Sequence, residues 1–219
     1  MILAFDTCTS RGTLAVGTPD RLMSEAYFKT EKGHTGWLMP RVDSMLGSLG
    51  MGPADVDVVA VGIGPGTFTG VKVGIATAKA IAMGLDIPLV GIPTLDIIAA
   101  GTGDEGLTLS VLDAKRGMLY AALYRNESGR PRPLTEYVCT EPDEIVGAGQ
   151  RVIDGPLSIA GEAPDILIEA FKALGITVRK VAGRYPLARD MLPLCDRLLS
   201  EGHAGTAVSV KPMYLKKPT

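Results

Sequence analysis

The chain has 219 residues, enough for one large domain or two small ones, and its 46% hydrophobic and 21% charged residues are the balance of a globular protein with its own core. A formal net charge of −2 excludes a strongly basic surface over the whole molecule and leaves the tail lysines Lys211, Lys216 and Lys217 as the expected place for a local positive patch. Three cysteines, Cys8, Cys139 and Cys195, without a CxxC pair exclude a disulfide framework; with no basic leader and no apolar run of spanning length in view, a cytoplasmic protein is expected.

Residues 2–5 read as a buried strand reaching Asp6, residues 13–16 as a second strand after the turn Ser10-Arg11-Gly12, and residues 22–29 as a third after Pro19-Asp20. Their hairpin-like spacing predicts an antiparallel trio. Residues 34–49 repeat Leu38, Val42, Met45, Leu46 and Leu49 at helical spacing, and Gly50, Gly52 and Pro53 close the helix. Residues 56–61 are almost continuously apolar, as a parallel interior strand is. A helix rich in Ala and Gly over residues 67–83 follows, with Gly84 as its C-cap. Residues 89–92 form a short strand, and Thr94 caps a helix over residues 95–100.

The stretch Gly101-Thr102-Gly103-Asp104-Glu105-Gly106 is the expected domain boundary. Beyond it, residues 107–112 and 118–124 read as strands around the turn Asp113-Ala114-Lys115-Arg116-Gly117, and residues 128–133 as a polar loop. Val152 and Ile153 read as a strand end leading into Asp154-Gly155-Pro156. Helices are expected over residues 164–174 and 186–199, the second bent or delayed by Pro193. The order is one α/β half-domain followed by a second that begins again with paired strands, although no close sequence repeat links them.

Two junctions carry the chemistry. Asp6-Thr7-Cys8-Thr9-Ser10 sets an acid and several hydroxyls just past a strand, where α/β sheets bind ligands. Asp6 would hold a water or a magnesium–phosphate shell, or simply accept turn N–H groups; no second acid at a fixed spacing completes a metal site. The run Gly62-Ile63-Gly64-Pro65-Gly66-Thr67-Phe68-Thr69-Gly70 opens directly into a helix and would offer backbone N–H groups to an anion or to another chain. It is neither a Walker A loop nor a dinucleotide fingerprint. Asp6, Thr7, Gly64 and Gly66 are therefore weak nucleotide candidates. On the helix that follows, Gly70, Gly74, Thr77, Ala78 and Ile81 recur at spacings of three and four, with Ile75 and Ala82 as a second apolar line. Either another subunit or the helix of residues 35–49 covers it. Trp37, the only tryptophan, anchors either a core or an interface. His34 lacks a second ligand one helical turn on, where Leu38 stands, so no metal is expected there, and no hydrolytic triad has local support.

Residues 2–7, His34 with Leu38 and Pro40, the run from Gly62 through Lys79, residues 88–92 and the tail Pro212-Met213-Tyr214-Leu215-Lys216 together resemble the bacterial TsaB (YeaZ) family. The likeness is dense over residues 1–100 and thin afterwards. It implies an actin-like, ribonuclease H-like fold of two tandem α/β domains, each with a mixed sheet and helices, here residues 1–100 and 101–219. It implies a non-catalytic subunit of the complex that transfers a threonylcarbamoyl group to N6 of adenosine 37 in tRNAs reading ANN codons. The partners implied are a TsaD-like metalloprotein and a TsaE-like ATPase, with ATP and metal belonging to those subunits and no cofactor held by this chain alone. The two helices would form the contact through Trp37, Leu38, Val42, Met45, Gly70, Val71, Gly74, Ile75, Thr77, Ala78 and Ile81, with a homodimer through the same face when the partner is absent. A stand-alone ATP-dependent small-molecule kinase, a metallopeptidase of the same wider fold and a purely structural dimer stand as alternatives.

Overall fold

The apolar run Ile-Leu-Ala-Phe of β1 (Ile2–Asp6) is buried at every position because the strand lies at the centre of a five-stranded sheet. In the computed structural model of the chain, which describes residues 1–29, 36–103, 105–127, 130–181 and 185–215, β2 (Arg11–Thr18) and β3 (Arg21–Lys29) follow β1 as an antiparallel meander. β4 (Val58–Gly62) and β5 (Leu89–Ile92) run parallel to β1, giving the order β3-β2-β1-β4-β5. Leu3, Phe5, Leu14, Val16, Val59 and Val61 form one face of this sheet and pack beneath α1 (Leu38–Ser48) and α2 (Phe68–Leu85). The other face is covered by α6 (Met191–Ser200), whose Leu192 approaches Gly17 so closely that a β-carbon there would lie 2.8 Å from Leu192 Cδ1.

A second sheet repeats the first in order and sense. β6 (Gly106–Lys115), β7 (Met118–Glu127) and β8 (Arg130–Pro133) form an antiparallel meander, and β10 (Leu157–Gly161) and β11 (Val178–Val181) run parallel to β6. The resulting order, β11-β10-β6-β7-β8, is the first sheet's order read from the other edge; β9 (Val138–Thr140) pairs separately with β7. Leu107, Leu109, Leu123 and Ile159 pack beneath α4 (Pro142–Gly149) and α5 (Asp165–Ala173), which contributes Phe171 to the core. After β10, Gly161 adopts φ +96° against the Val111 carbonyl, an approach that a side chain would block. Two such mixed sheets with their helices are the architecture of the actin-like, ribonuclease H-like superfamily.

The chain forms two compact units, Met1–Ile97 with Leu187–Tyr214, and a second built on Ile98–Pro186. The division differs from the expected domains of residues 1–100 and 101–219: the boundary falls after Ile97, and α6 with the chain up to Tyr214 belongs to the first unit. The amphipathic stripe Met191, Leu192, Leu194, Cys195 supplies that unit with its second apolar cover. α3 (Thr94–Ala100) follows β5 after Pro93, with Thr94 as its first residue rather than its cap; the Thr94 hydroxyl donates to Asp6 instead.

Several local expectations are corrected. Residues 128–133 were expected to be a polar loop, yet Arg130–Pro133 pairs with β7 as an edge strand, a position that tolerates proline. Val152 and Ile153 lie in the turn after α4, and the strand begins at Leu157, past Pro156. Gly84 does not end α2; the helix runs to Leu85, and Asp86 caps it in the left-handed conformation at φ 54°. By length and composition α2 also reaches membrane-spanning range, although no such run was expected; its Val71, Ile75, Ala78 and Ala82 are instead buried on the first sheet.

Candidate functional site

The two junctions singled out in the sequence meet at the carboxyl ends of β1 and β4. Thr67 caps α2, its Oγ1 accepting the Gly70 N–H at 3.3 Å, while its own N–H donates to the Cys8 carbonyl at 2.7 Å. Thr7 Oγ1 donates to the Gly70 carbonyl at 2.7 Å. The N–H groups of Thr67 and Gly70 are thus taken by the chain itself rather than offered to an anion. The loop then lies flush on the β1 turn. A side chain at Gly66 would strike the Cys8 carbonyl, one at Gly70 the Thr7 carbonyl, and one at Gly62 the Asp6 carboxylate. Gly64 sits at φ +102°, its carbonyl accepting the Thr94 N–H at 2.7 Å, and the Gly64–Pro65 peptide is cis.

Asp6 and Thr7, the side chains proposed for ligand contact, are both fully buried beneath this loop. Asp6 Oδ1 accepts the Cys8 N–H at 2.8 Å and Oδ2 accepts Thr94 Oγ1–H at 3.0 Å. Burial raises its pKa from an ordinary 3.8 to about 6, against the lowering effect of those hydrogen bonds. Cys8, beside it, donates from Sγ to the Gly62 carbonyl at 3.4 Å, and burial with the neighbouring Asp6 charge pushes its thiol well above the ordinary value. Cys195 is likewise pushed up to about 12 by burial. Neither is a poised nucleophile. His34 lies outside the described residues, and His203 is solvent-exposed beside Glu201. Among the described residues, no group of three or more His, Cys, Asp or Glu side chains converges.

The small-residue stripe faces inward. Gly70, Val71, Gly74, Ile75 and Ala78 are buried on the chain's own β1 turn and β4, as are Leu38 and Met45 of α1 on the first sheet. A β-carbon at Gly74 would lie 2.5 Å from Thr7 Oγ1 and 3.6 Å from Val61. The expectation that these residues form an outward contact face is therefore corrected: they let α2 sit close on its own sheet. Trp37 packs against Phe28 with the two rings tilted by 59° and their centroids 3.6 Å apart, and the Arg41 guanidinium lies 5.1 Å from the Phe28 ring centre.

What the two helices expose is a different set. α2 presents Lys72, Ala76, Ala80 and Met83, with Thr77 and Ile81 half-buried at the margin. α1 presents Met39 and Asp43. Between the helices opens an apolar groove of about 250 Å³, lined by Met39, Val42, Leu46, Pro53, Ala80 and Ile81 among others. Met39 is 50% and Met83 70% exposed. Unbranched, polarizable side chains of this kind adapt to a partner's surface. Of the groove residues, sequence spacing named Val42 and Ile81 but missed Met39 of α1 and Ala80 of α2, the latter because α2 was phased on its glycines rather than on the residues left between them.

A family model described as "TsaD: tRNA N6-adenosine threonylcarbamoyltransferase" matches residues 28–202. The chain is 31% identical over 219 residues to the tRNA threonylcarbamoyladenosine biosynthesis protein TsaB of Escherichia coli (strain K12), covering 98% of this chain and 94% of that protein. It is 36% identical over 129 residues to the protein of the same name from Bacillus subtilis (strain 168), covering 58% and 56% of the two chains. Among solved structures, YeaZ from Pseudomonas aeruginosa superposes with a TM-score of 0.79 at 25% identity, over 98% of this chain and 99% of that one. A first sheet whose ligand crevice is filled by its own glycine loop, carried on a chain with these relatives, places the protein: it belongs to the TsaB (YeaZ) family.

Proposed function

We propose that this chain is the non-catalytic accessory subunit of the machinery that makes threonylcarbamoyladenosine in tRNA, and that it docks a TsaD-like subunit through the groove between α1 and α2. The family relatives named for this biosynthesis support the role. One observation carries the reading: the crevice where a ligand would enter the first sheet is packed with the chain's own backbone, whereas the adjoining helices leave an apolar groove uncovered. Val42, Thr77 and Ile81 remain in the proposed contact, joined by Met39, Ala80 and Gly84. In the absence of the partner, the same groove pairs two copies of the chain. A TsaE-like ATPase joins the assembled pair, and ATP and metal are held by those partners.

Ala80→Glu and Met39→Glu test the surface, each placing an unpaired charge in an apolar contact. Both positions point away from the core, so the melting temperature stays within about 2 °C of the parent. Affinity for the TsaD-like partner, read by isothermal titration, falls tenfold or more, which corresponds to at least about 1.4 kcal/mol. Undiminished affinity in both variants excludes the groove as the docking site.

A further inference from the structure

The second unit carries a cluster of arginines that nothing in the fold requires. β7 and β8 pair so that Arg125 stands directly opposite Arg132, and Glu127 opposite Arg130. Like charges directly opposed across an antiparallel pair are destabilising. Arg125 is held by both carboxylate oxygens of Asp154, at 3.1 and 3.2 Å, in the loop that follows α4. Three residues earlier, that loop also presents the exposed Arg151. Arg130, Arg132 and Arg125 share one face of the strand pair by alternation. β7, β8 and the loop after α4 thus carry four arginines, of which Arg125 is paired with Asp154 and Arg130 stands opposite Glu127, in a chain whose net charge is −2.

Edge protection does not account for it. β8 is the last strand of its sheet, and edge strands commonly carry charges to stop another strand from adding. Here Pro131 and Pro133 remove the backbone donors at alternate positions, so strand addition is already blocked. Arg130 and Arg132, exposed on this edge, are not needed to block it. Guanidinium groups at strand spacing, only partly neutralised, complement a regularly charged polyanion.

We propose that Arg125, Arg130, Arg132 and Arg151 form a contact edge for the phosphate backbone of RNA. The inference deepens the reading of the chain as a tRNA-modification subunit and rests on it. Phosphate contacts position rather than specify, so the edge would orient the tRNA without reading its sequence. Of the tail lysines expected from sequence to form the positive patch, Lys211 belongs to the first unit, and Lys216 and Lys217 lie outside the described residues.

The test measures binding of an unmodified tRNA transcript to the full chain, alone and in complex with its TsaD-like partner, over a range of salt concentrations. The double variant Arg130→Gln with Arg132→Gln lowers affinity several-fold and reduces the slope of log K against log salt by about 1 to 2, since each lost phosphate contact removes roughly 0.7 to 0.9. The pair Arg130→Lys with Arg132→Lys, which keeps both charges, restores most of the slope. Arg21→Gln, exposed on the first unit, changes neither. An unchanged slope in the double variant, or an equal loss from Arg21→Gln, overturns the inference. So does a double variant that binds tRNA normally but loses the partner, because the edge then belongs to a protein contact. Absence of tRNA binding together with an intact partner complex sinks this inference alone and leaves the accessory role standing.

Discussion

Asp6 accepts the N–H of its own turn, one of the two readings that the sequence left open for it. In an open crevice it would be a ligand for a cation; here Gly62, Cys8 and Thr94 enclose it, and its two oxygens are spent on the Cys8 N–H and the Thr94 hydroxyl. Its folded pKa of about 6 lies above the ordinary 3.8, so the native state binds the proton more tightly than the unfolded chain does. The stability this group confers is therefore fully present below pH 4, falls as pH rises toward 6, and is absent above that. The difference corresponds to roughly 3 kcal/mol. Asp6→Asn keeps an acceptor for the Cys8 N–H and cannot ionise. Relative to this variant, the parent should lose stability between pH 4 and 6.5 in urea titrations, and the variant should be the more stable protein at pH 7.5. Parallel profiles for the two proteins would show that the carboxylate is not desolvated as the geometry requires.

At the scale of elements, α2 shows what a sequence pattern tells and what it withholds. Glycines at positions 70 and 74 announced a close backbone approach, and the approach exists, to Thr7 on the chain's own β1 turn. Spacing alone could not say whose backbone was near, because a small-residue stripe fits a neighbouring strand end as well as a second subunit. Gly74→Leu accordingly should damage folding rather than assembly. Forcing four carbons against Thr7 Oγ1 and Val61 costs about 1 to 3 kcal/mol or more, visible as a melting temperature lowered by several degrees in far-UV circular dichroism. A variant as stable as the parent that fails only in assembly would return the stripe to the interface. The central strands β1 and β4 were legible because burial on both faces makes them continuously apolar. β8, β9 and β11 were not: they are three or four residues long, and β8 alternates Arg and Pro, a composition that reads as loop until its pairing with β7 is seen.

For the whole molecule, the two sheets share one strand order and one pattern of parallel and antiparallel neighbours, a repeat invisible in the residues because only the apolar alternation is common to both. The resemblance to the TsaB family was legible in residues 1–100, where the β1 turn, the glycine loop and α2 must interlock and few residue types fit. It was thin in the second unit, whose core needs only apolar residues at alternate positions. The placement of α6 on the first unit could not be read from order along the chain, since its amphipathic stripe would suit either sheet. The result is a chain with the layout of the actin-like, ribonuclease H-like fold whose first crevice is closed by its own loop and whose helices α1 and α2 leave an apolar groove uncovered.

Reconstitution tests that account most directly: unmodified tRNA, an activated threonylcarbamoyl donor, ATP and the TsaD- and TsaE-like subunits are combined with and without this chain, and threonylcarbamoyladenosine is quantified by mass spectrometry. The account predicts modification only when the chain is present, none from the chain on its own, and a loss of product with Ala80→Glu that parallels its loss of partner affinity. Full modification without the chain, or modification by the chain alone, would contradict it.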